Sequence, residues 1–141
     1  MTHLRHLAIR CMDMEHSREF YTKVLGLKFH DYRPSRQGLD LTDGVNNITL
    51  LQQPVDCVRP SLEEGNEYIH FGLIVENLAT IWNRCKEWGA ELSKGDVKDR
   101  TEIVDLESVP ERSFKVLDPD GNVIDISDNR QEWNCVWLPD K

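Results

Sequence analysis

Basic residues are in short supply in this chain: 17 Lys and Arg stand against 25 Asp and Glu, a formal charge of −8. Nucleic-acid binding rests on neutralising phosphates with a cationic stripe, and adhesion to acidic lipid draws on the same charge, so neither partner is expected. No stretch approaches the roughly 18 consecutive apolar residues of a membrane span. The opening Met1-Thr2-His3-Leu4-Arg5-His6 lacks the apolar core of a secretory leader. Cysteines are few: Cys11, Cys57, Cys85 and Cys135 are scattered without a CxxC pair. They are expected to be reduced structural thiols, and the compartment to be the cytoplasm. A phosphate-cradling glycine loop is missing, as is any nucleophile and base pair of the hydrolase kind. What is there, 39% hydrophobic and 30% charged residues over 141 positions, describes one ordinary globular domain.

Within that domain a pattern repeats. His6-Leu-Ala-Ile-Arg-Cys-Met-Asp13 leads into an amphipathic segment that runs to Gly26, and His70-Phe-Gly-Leu-Ile-Val-Glu-Asn77 leads into another that runs to Gly89. Each opening is a strand that begins with a histidine, followed seven residues later by an Asp or Asn suited to cap a helix. The glycines suit the left-handed position after a helix. The spacing predicts helices over 14–25 and 78–88. Phe20, Tyr21, Val24 and Leu25 line one side of the first; Leu78, Ile81, Trp82, Cys85 and Trp88 line the second, and both stripes read as core.

Short strands follow each helix. They fall near 27–33, 38–42 and 47–53 in the first half, and near 90–94, 112–117 and 122–127 in the second. The last two of each set are joined by turns, Thr42-Asp43-Gly44-Val45-Asn46 and Asp118-Pro119-Asp120-Gly121. The expected class is α+β, with two βαβββ modules over about 4–54 and 68–128, a linker over 55–67 and a tail over 129–141. Residues 95–111 are polar and aperiodic and read as a long loop beside the site. The tail carries Trp133 and Trp137 and is expected to pack on its own domain or on a partner chain.

Strand alternation sets His6, Ala8 and Arg10 on one face against Leu7 and Ile9 on the other. His70 and Gly72 oppose Phe71, Leu73 and Val75, and Asp125 opposes Ile124 and Ile126. A carboxylate flanked by isoleucines in a strand is costly without a cation or donor nearby. A lone strand histidine is ordinarily a hydrogen-bonded structural residue. Two imidazoles and a carboxylate at matching places in a duplicated pattern also suit a first-row divalent metal. Arg10, on the face of His6, is a candidate for an anionic substrate group or for an outward salt bridge. His30 and Tyr32 are placed on one face of the second strand, as acid/base candidates or as partly exposed strand residues. His3 and His16 read as surface residues.

The run Phe20-Tyr21-Thr22-Lys23-Val24-Leu25-Gly26-Leu27 after His6, together with Asp118-Pro119-Asp120-Gly121-Asn122-Val123-Ile124-Asp125, resembles the vicinal oxygen chelate superfamily over about residues 4–128. That superfamily includes glyoxalase I, methylmalonyl-CoA epimerase, fosfomycin-resistance transferases, extradiol dioxygenases and bleomycin-binding proteins. The resemblance implies two βαβββ modules forming a cleft, commonly completed in a homodimer. It places metal ligands at His6, His70 and Asp125, the last more often Glu in the family. Glyoxalase I has a fourth ligand on the last strand of its first module, where this chain has Thr49. The transferases carry a threonine near the first histidine, where this chain has Ala8.

A three-ligand site resembles the two-His-one-carboxylate set of iron(II) oxygenases. The expected function is therefore a metal-dependent enzyme acting on a small-molecule substrate, dioxygenase-like on a catechol or similar diol. Its cofactor would be one divalent ion, Fe(II) in preference to Mn, Ni, Co or Zn. Thr49 and Arg10 are taken as substrate-binding, His30 and Tyr32 as catalytic. A glyoxalase I-like lyase or isomerase is the alternative, and a metal-free binding or resistance protein is the reading from another class.

Overall fold

In a computed structural model the described residues are 2–57, 70–92 and 107–134. The elements run β1 (His6–Cys11), α1 (Met14–Glu19), a π turn (Phe20–Val24), β2 (Lys28–Tyr32), β3 (Gly38–Thr42) and β4 (Asn47–Gln52). After these come β5 (Phe71–Ile74), α2 (Leu78–Trp88), β6 (Ser113–Leu117) and β7 (Val123–Ser127). The order β1-β4-β3-β2 makes one sheet and β5-β7-β6 another. In both, the opening strand lies parallel to the last strand of its module, and the remaining pairs are antiparallel. The strand expected at 90–94 is represented by Leu92, which bridges to Val116 in the place that β2 takes beside β3. Residues 93–94, the expected linker beyond 57, residues 95–106 of the expected loop, Cys135 and Trp137 lie outside the described residues.

The chain divides into two compact units: Met1–Ser61 with Asp118–Gly121, and Leu62–Leu117 with Asn122–Lys141. The helices start where the sequence puts their caps. Asp13 accepts from the His16 N–H at 2.9 Å, and Asn77 from the Thr80 N–H at 2.8 Å. Gly26 and Gly89 take φ of 80° and 75°, the left-handed conformation that ends each helix. The first helix departs from expectation in its second half, where the Leu25 N–H reaches back to the Phe20 carbonyl in a widened π turn. That turn lets Phe20, Tyr21, Val24 and Leu25 all be buried.

Each sheet turns one face to its helix. Ile9, Leu39, Leu41, Ile48 and Leu50 fill the first core; Phe114, Val116, Ile124 and Ile126 fill the second around Trp82. Full burial of such side chains stabilises by about 1.5–3 kcal/mol each before entropy is counted. Trp82 stands edge-on to Phe114, with ring centroids 5.0 Å apart. Trp88, expected in the stripe, is only half-buried because it closes the last turn of α2.

The Asp-Pro-Asp-Gly turn belongs to the first unit, and its carboxylates explain the Phe-Tyr pair. The Tyr21 hydroxyl, fully buried, donates to Asp118 at 2.7 Å. Asp120 accepts from the Met12 N–H at 2.8 Å and from the Ser17 hydroxyl at 3.1 Å. Both motifs therefore clasp the first unit together. Cys11, Cys57 and Cys85 are free thiols. Burial, with the charge of Asp120 beside it, pushes the Cys11 thiol up to about 12, and burial alone does the same to Cys85. Such thiols stay protonated and unreactive.

Candidate metal-binding site

The face of the first sheet turned away from α1 is polar. Ala8 lies opposite Thr49 in the parallel pair, and Asp40 lies opposite Thr49 on the other side, so one row crosses three strands. Thr49 is 1% exposed. Its hydroxyl is 2.6 Å from Asp40 Oδ1, accepts from the Arg33 guanidinium at 2.9 Å and also lies 3.1 Å from the Asn47 side-chain amide, so it is fully engaged within the protein. Arg33 also pairs with Asp40 at 3.1 Å. Partial burial works to raise the Asp40 carboxyl, but hydrogen bonds from Thr49, Asn47 and Arg33 outweigh it and hold the group below its ordinary 3.8. Two residue pairs back, on the same face, His6 lies opposite Asn47, and its Nδ1 is 2.5 Å from the Asn47 amide oxygen.

The second sheet repeats this register with other chemistry. Gly72, two residues after His70 as Ala8 is two after His6, lies opposite Asp125, and Asp125 lies opposite Lys115. Thr49 and Asp125 are thus counterparts in the two modules. His70 stands one residue before β5, where the sequence had placed it inside the strand. Its Nε2 is 3.8 Å from Asp125 Oδ2, too far for a direct hydrogen bond. It is within the span that two donors bonded to one ion at about 2.0–2.2 Å can bridge. The Asp125 side chain is 14% exposed. Two neutral nitrogen donors and one carboxylate form a set that zinc, iron, manganese and their neighbours accept. His6 belongs to the first unit, and among the described residues no three His, Cys, Asp or Glu side chains are gathered into one ligand cluster.

The tail supplies a residue that alternation did not reveal. A Cβ added to Gly72 would lie 2.4 Å from Trp133 Cζ2, so the indole occupies the space directly over Gly72. In the described part of the tail, residues 129–134, Trp133 packs on its own unit. That segment is held in part by Arg112 to Glu132 at 3.0 Å.

Two of the remaining expectations need correction. His30 and Tyr32 do not share a face, because His30 is the extra residue of a bulge: Phe29 pairs with Leu41 and Asp31 with Asp40. The bulge resets the alternation, and Tyr32, opposite Leu39, joins Phe29 on the helix side. There its hydroxyl donates to Glu15 at 2.6 Å, and Arg36 lies over its ring. His30 is exposed, as are His3 and His16. Arg10 stays on the face of His6, with its guanidinium donating to the Gln52 carbonyl at 3.0 Å. Asp40 carried a usable signal, since Leu39-Asp40-Leu41 is the same flanked carboxylate that drew attention to Asp125. Asn47, Arg33 and Lys115 carried none.

Residues 3–126 match the Glyoxalase/Bleomycin resistance protein/Dioxygenase superfamily. The orders β1-β4-β3-β2 and β5-β7-β6 fit the βαβββ module of that superfamily, also called vicinal oxygen chelate, and the chain belongs to it. Its members act on small molecules as lyases, isomerases and dioxygenases, and commonly use a divalent metal. The chain is 32% identical over 126 residues to a glyoxalase domain-containing protein of Mycosarcoma maydis, covering 88% of this chain and 66% of that protein's length. It is 28% identical over 139 residues to lactoylglutathione lyase of Shigella flexneri, covering 90% of this chain and 93% of the lyase. The fosfomycin resistance protein FosX of Mesorhizobium loti has the same fold at TM-score 0.65 and 13% identity, over 91% of this chain and 92% of that one. A possible glyoxalase from Bacillus cereus aligns at TM-score 0.60 and 19% identity, over 90% and 99%. Among the described residues no helix is long and apolar enough to cross a membrane.

Proposed function

We propose that this protein is a metal-dependent enzyme in which His6, His70 and Asp125 bind one divalent ion, with Fe(II) preferred. We further propose that it acts on a small substrate carrying two neighbouring oxygens, dioxygenase-like on a catechol or similar diol. The observation that carries the reading is the paired register, Ala8 with Thr49 and Gly72 with Asp125. It gives one carboxylate where a four-ligand site would have two. Three protein ligands leave coordination positions for substrate oxygens. When bound, such an ion supplies Lewis-acid stabilisation of negative charge on chelated oxygens.

The protein's own contributions follow from its geometry. His6, with Nδ1 engaged by Asn47, offers Nε2. Asp125 contributes the anionic ligand, and Trp133 over Gly72 walls off that side from water and gives a planar substrate a surface to stack on. Arg10 is exposed on the face of His6, where it anchors an anionic substrate group. His30 is an exposed acid/base candidate. Thr49 and Tyr32, whose hydroxyls are engaged within the protein, are left out of the chemistry.

Identity with lactoylglutathione lyase across most of both chains favours a second reading, a lyase or isomerase that moves a proton next to a carbonyl. Metal analysis after supplementation with Fe(II), Mn, Ni, Co or Zn is the first test. About one ion per chain is expected, and occupancy below about a tenth overturns the metal site and leaves a metal-free binding protein. Oxygen uptake by anaerobically iron-loaded protein on a catechol panel is the second. No uptake, with lactoylglutathione formed from methylglyoxal and glutathione, replaces the dioxygenase with the lyase.

A further inference from the structure

Trp133 lies on the face of the second sheet that carries Asp125, away from the core. Gly72, Asp125 and Lys115 stand opposite one another across β5, β7 and β6, so the three positions share that face at about one strand spacing, roughly 4.7–4.9 Å, from each other. The other face of these strands carries the buried Phe114, Val116, Ile124 and Ile126. A Cβ at Gly72 would stand 2.4, 2.5 and 3.1 Å from Trp133 Cζ2, Cη2 and Cε2, so the six-membered ring of the indole lies across the place of a side chain. A folded strap brings it there. The Asn129 N–H donates to the Ser127 hydroxyl at 3.1 Å. The N–H groups of Gln131 and Glu132 donate back to Asn129 at 3.0 and 2.9 Å. Glu132, 8% exposed, is anchored on Arg112, which leaves the next residue over Gly72.

An aromatic ring laid over a glycine of an edge strand can be a structural cover alone. The comparison of modules points further. Ala8, the counterpart of Gly72, is exposed, so the same module stands with that position bare. Trp133 is itself only half-buried, so its seat gains less than a place in the core would. Its neighbour one strand over is Asp125, whose Oδ2 is 3.8 Å from His70 Nε2. We propose that Trp133 is a specificity-determining residue, the platform on which a planar aromatic substrate ring rests beside Asp125. Gly72 is glycine because a side chain there would displace the indole. A flat ring gains from stacking on an indole and an aliphatic chain does not, so the platform favours aromatic over aliphatic compounds with the same pair of oxygens. This rests on the reading of that face as the substrate site, and it selects between the two substrate classes that reading left open.

The test reads binding and needs no turnover. Affinities for catechol and for acetohydroxamate, an aliphatic compound that also carries two neighbouring oxygens, are measured by calorimetry with and without Zn(II), and the metal content of each sample is determined. Trp133→Ala is expected to weaken catechol about 2–10-fold, the worth of one stacked aromatic pair, and to leave acetohydroxamate within about twofold. Trp133→Phe should recover part of the loss. Gly72→Ala keeps the indole in the chain but pushes it off its seat, and should reproduce the loss for catechol. If Trp133→Ala fails to fold, the other two variants carry the same comparison. Catechol affinity untouched by these changes, an equal loss for both ligands, or a wild-type protein that binds no catechol with or without Zn(II) overturns the platform. Catechol binding that depends on Trp133 in a protein retaining no Zn(II) upholds the platform and overturns the metal site. Zn(II) retained with catechol binding indifferent to Trp133 does the reverse.

Discussion

The two modules share a strand order and a register, yet they carry charge in opposite places. In the first, the residue opposite Ala8 is the neutral Thr49, and the carboxylate sits one strand further out at Asp40, neutralised by Arg33. In the second, the carboxylate itself stands opposite Gly72, and the strand beyond it carries the buried Lys115. The first module consumes its polar residues in an internal network; the second presents a carboxylate beside a histidine. A duplicated scaffold thus carries a closed Arg33–Asp40–Thr49 network in one half and, on the reading proposed above, a ligand in the other.

Exchanging the residues is the hardest test of that contrast. Asp125→Thr gives the second module the chemistry of the first, and metal content is expected to fall by about tenfold or more while circular dichroism is unchanged. The reciprocal Thr49→Asp puts a second carboxylate against Asp40. It is expected to lower unfolding stability by about 1–3 kcal/mol in urea titrations without adding a metal ligand. Retention of full metal by Asp125→Thr would remove Asp125 from the ligand set.

Gly72→Val against Ala8→Val tests the second difference. At position 72 the new Cβ meets Trp133, so overpacking of about 1–3 kcal/mol and a shift in tryptophan emission are expected. Ala8 is exposed, and Val there should stay within about 0.5 kcal/mol of wild type.

The acid limb of stability sharpens the account of the first module. The Asp40 carboxyl is held below its ordinary 3.8 by its hydrogen bonds. An acid depressed in the folded state stabilises above that ordinary value, and the gain is lost as pH falls from there through the folded value. Thr49→Val removes one of those bonds, so the loss of stability as pH falls below Asp40's ordinary 3.8 should be shallower than in wild type. An unchanged acid profile would show that the Thr49 hydroxyl does not tune Asp40. A modest effect belongs to the caps: Asn77→Ala should cost about 1 kcal/mol in thermal or urea unfolding, as a single lost N-cap does.

Much of this was legible in the residues. Caps and terminal glycines mark the helix ends because both are local: a side-chain oxygen reaching the third N–H, and a positive φ that glycine takes freely. The strand faces follow from a period of two, which is why His6, Ala8, Arg10 and Thr49 share the polar side. That same rule failed at β2. A bulge at His30 depends on pairing with β3, and no property of Lys28–Tyr32 alone announces it. The π turn in the first helix was equally hidden, since it answers to the packing of Phe20 and Tyr21 and not to propensity.

Acting by itself, the sequence determined the repeated module, the core stripes, the turn chemistry and the residue types able to hold a metal, because each is fixed by neighbours within a few positions. Only the tertiary structure decided which strand meets which. That pairing makes Thr49 the counterpart of Asp125, commits the Thr49 hydroxyl to Asp40, sets Asn47 on His6 and lays Trp133 over Gly72. Hydrogen bonds and close contacts of this kind join residues from nine to tens of positions apart, and their partners are chosen by register, which no local pattern encodes.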